Sequence, residues 1–352
     1  MYFFAFVSLI FMLHILIHET HPVKHGRIIL RLVFRRFIIN KNTEEEQSIM
    51  LDFLRREGID GQIISSIEEF RAQYPVDETQ LGRVPVPKFR YYGTEIWEKA
   101  LVALLSGENI LLVGPKATGK NVLAENLAAV FNRPEWDISL YLNTDAASLI
   151  GTDTFKNGEV CLRHGPIYSC AEFGGFGILD EINMAKNESL AVLHATLDFR
   201  RIIEVPGYER IKLAPCTRFI GTMNYGYAGT REINEALASR FMVINMPIIS
   251  GDNLMKLLNT QFPTLKPDYV SQFAELFCDI RKKCESSEIS TKALDLRGLL
   301  ASITLIHEGL STGQALEIGL TNKSFDDFER QLVSDIIFAR INPDLTGSDI
   351  FA

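Results

Sequence analysis

The amino-acid sequence predicts a parallel α/β sheet with helices on both faces, followed by an all-α region. From about residue 93, short apolar runs typical of buried strands alternate with segments whose apolar residues recur every three or four positions. From about residue 251, only helical patterns occur. The 352 residues are 47% hydrophobic and 23% charged, which excludes a mainly disordered chain and a multi-span membrane protein.

The elements of the α/β region follow from these patterns. The sequence predicts helices over 94–107, 121–132 and 187–199, and strands over 109–114, 176–180 and 216–224. Two hairpins interrupt this order, one turning at Asn157-Gly158 and the other at Pro206-Gly207. In the all-α region, Ser324 with Asp327 three residues later is typical of a helix start.

The N-terminal part differs from the rest in composition. Residues 1–49 hold six basic and four acidic residues, a net charge of about +2, so the total of −8 leaves about −10 for residues 50–352. Residues 1–17 are almost entirely apolar but shorter than the roughly 20 residues of a bilayer span. We interpret 1–49 as a leader that precedes the native start or attaches the chain to a membrane. Residues 50–92 are predicted as a helical preamble and linker, residues 93–250 as the α/β domain and residues 251–352 as a helical lid.

Charge and cysteine usage narrow the function classes. The acidic body disfavours nucleic acid as a partner, because general nucleic-acid binders carry a basic excess. Five scattered cysteines without a CxxC pair exclude a disulfide scaffold and disfavour a zinc site. We therefore expect reduced thiols and a cytoplasmic protein.

A phosphate-binding loop is predicted between the first strand and the following helix. Gly114, four residues, then Gly119 and Lys120 form the P-loop spacing in the context that it requires. Its backbone N–H groups and helix N-terminus bind phosphate, and Lys120 reaches the β- and γ-phosphates. The last position is Asn121 instead of Ser or Thr, so Mg²⁺ is bound by an amide oxygen, or Asn121 only caps the helix and hydrolysis is impaired. The candidate nucleotide-binding residues are Gly114, Pro115, Lys116, Ala117, Thr118, Gly119, Lys120, Asn121 and Val122.

Polar residues at the ends of two later strands complete the candidate site. Asp180 and Glu181 end the strand over 176–180, at the edge where open α/β sheets bind ligands. We expect Asp180 to hold Mg²⁺ and Glu181 to polarise the attacking water. Asn224 ends the next strand and offers both a donor and an acceptor to water and the γ-phosphate. Arg240 is either a cation at a helix C-terminus or an arginine finger for a neighbouring subunit.

Four motifs in this order and spacing, GPKATGKN, GILDEINMA, FIGTMN and ALASRF, resemble the AAA+ ATPases. The DEIN sequence and Gly165-Pro166-Ile167 are similar to the branch that contains MoxR and the dynein- and midasin-related proteins. The resemblance implies ATP and Mg²⁺ as cofactors, with Lys120 in Walker A, Asp180 and Glu181 in Walker B and Asn224 as sensor 1.

The same resemblance implies further roles outside these motifs. Arg240 matches the arginine finger, which implies a homo-oligomeric ring, most simply a hexamer. Sensor 2 is Arg297 in one alignment and Lys292 in another, and Arg297 is favoured because a guanidinium binds phosphate with two parallel bonds. Lys116, although within the phosphate loop, is interpreted as a loop or surface charge, as are Arg200, Arg201 and Arg231. By analogy with MoxR proteins, the expected client is a protein with a von Willebrand A domain.

Three other functions stay open at this point. A nucleotide-gated binding module predicts ATP binding with little turnover because of Asn121. A P-loop small-molecule kinase predicts phosphate transfer that does not depend on Arg240, and the sensor motifs count against it. A DNA-remodelling role is disfavoured by the acidic charge of residues 50–352, although a locally basic loop would not be visible in the net charge.

Overall fold

The computed structural model describes residues 48–225 and 232–352. Nearly all of the predicted leader lies outside these two ranges, including residues 1–17, for which a membrane segment is one expectation. Arg231 also lies outside them. None of the helices in the described ranges combines the length and apolar character that a membrane span needs.

Helices account for most of the described chain. The α-helices in chain order are α1 (48–56), α2 (Gly61–Gln73), α3 (Thr94–Leu105), α4 (Lys120–Val130), α5 (Ala146–Ile150), α6 (Pro166–Phe173), α7 (Asn187–Leu190), α8 (His194–Leu197), α9 (Glu235–Ala238), α10 (Gly251–Gln261), α11 (Pro267–Glu285), α12 (Leu296–His307), α13 (Thr312–Gly319), α14 (Asp327–Arg340) and α15 (Gly347–Ile350). Short 3₁₀ helices lie at Glu78–Arg83, Ile182–Met184, Ala191–Leu193 and Thr321–Lys323.

A parallel sheet forms the centre of the α/β region. The strands in chain order are β1 (Ile110–Val113), β2 (Glu135–Ser139), β3 (Gly151–Lys156), β4 (Glu159–His164), β5 (Phe176–Asp180), β6 (Ile202–Ile203), β7 (Ile211–Lys212), β8 (Arg218–Met223) and β9 (Met242–Asn245). Five of them form one sheet in the order β2-β5-β8-β1-β9, and every neighbouring pair is parallel. The predicted fold class is therefore confirmed, with an all-α region after the sheet.

The sheet is covered on both faces, which explains the continuous apolar strands. Successive residues of β1 alternate between two cores: Ile110 and Leu112 pack with α4, while Leu111 and Val113 face the opposite side. The core on the α4 side also contains α1, α2, α3 and the helices after residue 251. The core on the other side contains α6 and the short helices after β5.

Both predicted hairpins are present. Strands β3 and β4 pair antiparallel, and their turn holds Asn157 and Gly158 at positive φ (54° and 90°), as the Asn-Gly signal requires. Strands β6 and β7 pair over two residues each. The hydroxyl group of Tyr208, in the loop of the second hairpin, donates to the Asp153 carboxylate of the first at 2.6 Å. The two hairpins therefore contact each other.

Two expectations on local structure were wrong or incomplete. The single helix predicted over 187–199 is α7, a 3₁₀ turn and α8, because the spacing of Leu190, Leu193 and Leu197 buries the same face in either form. The prediction of a helix start at Ser324 was two residues early. Asp326 caps α14 by accepting from the Glu329 N–H at 2.8 Å, and Ser324 instead donates to the Glu329 side chain.

The sequence analysis also missed β2 and β9, the two edge strands of the main sheet. In β2 only Trp136 and Ile138 are buried, and in β9 only Ile244. An edge strand buries fewer residues than a central one, so it lacks the apolar run that identifies β1, β5 and β8.

A buried carboxyl group on β2 makes stability depend on pH. One carboxyl oxygen of Glu135 is buried without a hydrogen-bond partner among the described residues. Burial, followed by the neighbouring acids Glu125 and Asp137, raises the pKa of Glu135 from 4.5 to about 7. The native state therefore holds this proton more tightly than the unfolded state, and Glu135 lowers stability as the pH rises from about 4.5 to 7.

We expect Glu135→Gln to stabilise the fold at pH 8, where the wild-type carboxylate must be ionised in its buried position. The gain is up to about 3 kcal/mol in the free energy of unfolding, and it shrinks as the pH falls toward 4.5. Urea unfolding at pH 5, 6, 7 and 8 measures it. Glu159→Gln, at an exposed glutamate of β4, is the control. Equal pH dependence of wild type and Glu135→Gln contradicts the expectation.

Candidate active site

The loop between β1 and α4 has the shape of an anion cradle. At Gly114 a Cβ atom would lie 2.7 Å from the Met246 carbonyl oxygen, so no side chain fits. Gly119 precedes α4 in the left-handed conformation (φ 78°), and Ala117 also has positive φ (61°). Left-handed residues within a glycine-rich loop allow successive N–H groups to converge on phosphate oxygens.

Lys120 is buried inside this loop. Its ammonium group donates to the carbonyl oxygens of Gly114 (3.0 Å) and Pro115 (2.8 Å) and to the hydroxyl oxygen of Thr118 (3.2 Å). Burial lowers the pKa of Lys120 to about 8, against the opposing charges of Asp180 and Glu181. The loop oxygens therefore hold a cation beside the two carboxylates, where phosphate oxygens can replace them as its partners.

Parallel pairing of β5 and β8 places the acidic pair next to a threonine. Because Leu179 is in register with Gly221, Asp180 lies beside Thr222 at the carboxyl edge of the sheet. The Thr222 hydroxyl group donates to Asp180 Oδ1 at 2.5 Å and accepts from the Glu181 N–H at 3.1 Å. One hydroxyl group thus orients Asp180 and holds the backbone of Glu181.

The backbone of Glu181 is strained, and its side chain is exposed. Its φ of 53° lies in the left-handed region, which costs a non-glycine residue about 1 kcal/mol or more. The Asn224 side chain donates to Glu181 Oε1 at 3.3 Å, and the buried Asn183 side chain donates to the Asn224 carbonyl at 2.9 Å. The structure therefore brings Lys120, Asp180, Glu181 and Asn224 together, as the sequence predicted.

Thr222 and Asn183 are site residues that the sequence analysis missed. Both lie inside quoted motifs, GTMN and DEIN. Thr222 follows Gly221, the residue of β8 that pairs with Leu179, and this position beside Asp180 is what identifies it. It can be found only when the strand register is known, and the register is set by tertiary pairing.

Arg240 does not contact this cluster in its own chain. Its guanidinium donates to the carbonyl oxygens of His194 (3.1 Å) and Ala236, and one nitrogen lies 3.6 Å from the Asp198 carboxylate. The side chain is 20% exposed, so one edge of it faces outward. This anchored cation is compatible with both sequence interpretations of Arg240.

Neither sensor 2 candidate has a hydrogen bond or ion pair to the described residues of the cluster. Arg297 is exposed in the first turn of α12 and forms no hydrogen bond or ion pair with another described residue. The Lys292 ammonium lies 5.8 Å from the centre of the Phe325 ring.

Of the arginines interpreted as loop or surface charges, Arg200 is exposed and bonds the Asp198 carboxylate. Arg201 is a half-buried loop residue. It donates to the Ala214 and Thr217 carbonyl oxygens, and burial lowers its pKa. Both carbonyl groups precede β8, the strand that carries Thr222.

The residues present fit a nucleotide with Mg²⁺. The cradle at Gly114 admits no side chain, and Lys120 provides a buried positive charge. Lys116 and Asn121 are exposed at the loop and at the first turn of α4, where their side chains can reach a ligand. The Asp180 carboxylate is the hard oxygen ligand that Mg²⁺ prefers, and Asn121 offers a second one.

Comparisons with known proteins agree with this geometry. The family described as AAA domain (dynein-related subfamily) matches residues 109–241. The uncharacterized protein YojN of Bacillus subtilis (strain 168) is 33% identical over 67% of this chain and 79% of its own length. The uncharacterized protein SH1500 of Staphylococcus haemolyticus (strain JCSC1435) is 35% identical over 68% of this chain and 92% of its own. A solved structure of a protein from Cytophaga hutchinsonii is 13% identical to this chain, and the match covers 86% of this chain and 98% of the solved one. Its TM-score of 0.40 is too low for a functional comparison.

We expect Thr222→Val to destabilise the chain by about 1–3 kcal/mol. The valine has the same shape, but it leaves Asp180 Oδ1 and the Glu181 N–H without their shared partner. Urea unfolding measures the loss. Thr222→Ser keeps the hydroxyl group and serves as the control. A Val variant as stable as the Ser variant would show that the hydroxyl group orients neither residue.

Proposed function

Because the chain belongs to the dynein-related subfamily of AAA domains, we propose that it hydrolyses ATP to remodel or activate a partner protein, in the manner of MoxR ATPases. The observation that carries the proposal is the convergence at one sheet edge of Lys120, Asp180, Glu181 and Asn224. Lys120 is the cation for phosphate, Asp180 the metal ligand and Glu181 the carboxylate that activates water. Asn224 is the amide that contacts Glu181.

Each group has a role that follows from its position. Bound ATP would supply the phosphoryl group, with Mg²⁺ neutralising charge on its oxygens. Lys120 binds the β- and γ-phosphate oxygens in exchange for the carbonyls of its own loop. Asp180, fixed by Thr222, would hold the Mg²⁺ ion. Asn224 orients the attacking water, and Glu181 accepts a proton from it. The Asn224 amide nitrogen lies 3.3 Å from Glu181 Oε1, so both side chains can contact the same water.

A ring of identical subunits supports catalysis in this proposal. Arg240 contacts none of the site residues of its own chain, yet the backbone of α8 and α9 holds its guanidinium near the surface. A cation held in this way is suited to the nucleotide of an adjacent subunit, where it would stabilise charge in the transition state. By family analogy the ring is a hexamer.

The client of the proposed ATPase is a protein with a von Willebrand A domain, again by analogy with MoxR proteins. The β3–β4 hairpin offers a contact surface. Phe155 and Val160 face each other across the two strands and are 74% and 65% exposed. Contiguous exposed apolar surface marks protein-interaction sites.

A second candidate function is favoured by Asn121. In a nucleotide-gated binding module, ATP binding changes the conformation but turnover is very slow, because an amide replaces the hydroxyl ligand of Mg²⁺. Asn121→Thr discriminates the two functions. A large rise in turnover supports the gated module, and an unchanged rate supports the ATPase with Asn121 as an adequate ligand.

We expect Glu181→Gln to lower steady-state ATP hydrolysis about 100-fold while a fluorescent ATP analogue still binds, because only the proton acceptor is lost. Lys120→Ala is expected to abolish binding of the analogue. Glu188→Gln, at an exposed glutamate just beyond the site, should leave both quantities unchanged. Near-zero hydrolysis that is equal in wild type and Glu181→Gln would overturn the proposed activity.

We expect Arg240→Ala and Lys120→Ala subunits to be inactive alone and partly active when mixed. A mixed ring contains interfaces that pair an intact loop with an intact Arg240. ATP hydrolysis across mixing ratios measures the restored activity, and size-exclusion chromatography with ATP measures assembly. If mixing restores no activity and ATP induces no assembly, the ring arrangement is wrong.

A further inference from the structure

The segment over residues 88–93, here called the strap, lies between the phosphate loop and the C-terminal helices. It links the preamble to α3 and forms neither helix nor strand. Tyr91 and Tyr92 are buried, each 8% exposed, and of the six residues only Lys88 is exposed. Adjacent residues of an extended chain point to opposite sides, and the two tyrosines contact different elements.

Tyr91 faces the phosphate loop. A Cβ atom at Gly119 would lie 3.2 Å from Tyr91 Cδ2, so the ring packs directly against this glycine. Asn126 of α4, which is fully buried, accepts from the Tyr91 N–H at 3.3 Å and donates to the Phe89 carbonyl at 2.8 Å. The Trp97 indole donates to the Tyr91 carbonyl at 2.9 Å. The strap is therefore bound to the helix that begins at the phosphate loop.

Tyr92 faces α10, the first helix after the α/β region. Its hydroxyl group lies 2.8 Å from Thr260 Oγ1. Thr260 donates its own proton to the Lys256 carbonyl at 2.9 Å, so Tyr92 is the donor in the contact between the two hydroxyl groups. Asn253 donates to the Tyr92 carbonyl at 3.3 Å, and Gln261 donates to the Lys88 carbonyl at 3.4 Å.

We propose that Tyr91 and Tyr92 are positioning residues that couple the conformation of the phosphate loop to the position of α10. The proposal rests on the nucleotide-binding function given above. Tyr91 limits the movement of Gly119, whose N–H lies in the cradle. Tyr92 transmits displacements of α10 to the strap. Two consecutive residues thus connect the loop to a helix that is about 140 residues distant in the chain.

The coupling is testable without nucleotide by hydrogen exchange. Tyr92→Phe and Thr260→Val each remove the contact between the hydroxyl groups and keep the shape of the side chain. We expect each to speed amide exchange in residues 114–123 by about 2- to 10-fold, the value of one hydrogen bond. The double variant is expected to equal the single ones, because both remove the same contact.

Two controls separate a positioning role of the Tyr92 hydroxyl group from a general loss of protein stability. Tyr269→Phe is the matched control, since the Tyr269 hydroxyl group has no hydrogen bond to a described residue and the variant should leave exchange in 114–123 unchanged. Exchange in α12 reports general loosening, and we expect no change there. Unchanged exchange in 114–123, or an equal increase in α12, would overturn the proposal.

Kinetics then connect the strap to the reaction. With ATP, we expect Tyr92→Phe to raise KM about 2- to 10-fold while kcat stays within twofold of the wild type, because the phosphate loop is less well held but the acidic pair is intact. A fall in kcat with unchanged KM contradicts this. If the wild type binds no ATP, the proposed function fails, while the exchange result still decides whether the strap couples the two elements.

Discussion

Parallel alignment of β1, β5 and β8 is the constraint on which the site depends. Their carboxyl ends meet at one edge, so the phosphate loop, the acidic pair and Asn224 emerge side by side although together they span more than 100 residues of the chain. A register shift of one residue between β5 and β8 would turn Asp180 away from Thr222. Burial on both faces of these strands prevents such a shift, since each residue of β1 lies in one of two cores.

The site contains two energetically unfavourable features, which contacts with surrounding residues stabilise. Lys120 is a buried cation, and Glu181 has a strained backbone. The Lys120 ammonium is satisfied by oxygens of its own loop, and the Glu181 N–H by Thr222. Strained and poorly solvated groups are typical of sites that bind and react, because a ligand can relieve them.

The preamble and the C-terminal helices share one hydrophobic core. Met50 and Phe53 of α1 belong to the same buried cluster as Leu254 and Leu258 of α10. Arg71 of α2 donates to the Val130 carbonyl at the C-terminal end of α4. The strap passes through this arrangement, so the preamble and the C-terminal helices meet on the face of the sheet that α4 covers.

The sequence by itself determined the fold class, the central strands β1, β5 and β8, both hairpins, and the cluster of Lys120, Asp180, Glu181 and Asn224. These features rest on local chemistry: apolar runs, Asn-Gly turns, and polar residues at strand ends. Only the tertiary structure decided the edge strands β2 and β9, the roles of Thr222 and Asn183, the burial of Arg201 and the contacts of Tyr91 and Tyr92. Each of these depends on which residue lies opposite in space. A local pattern carries no information about such partners, which are 13 positions away for Arg201 and 168 positions away for Tyr92.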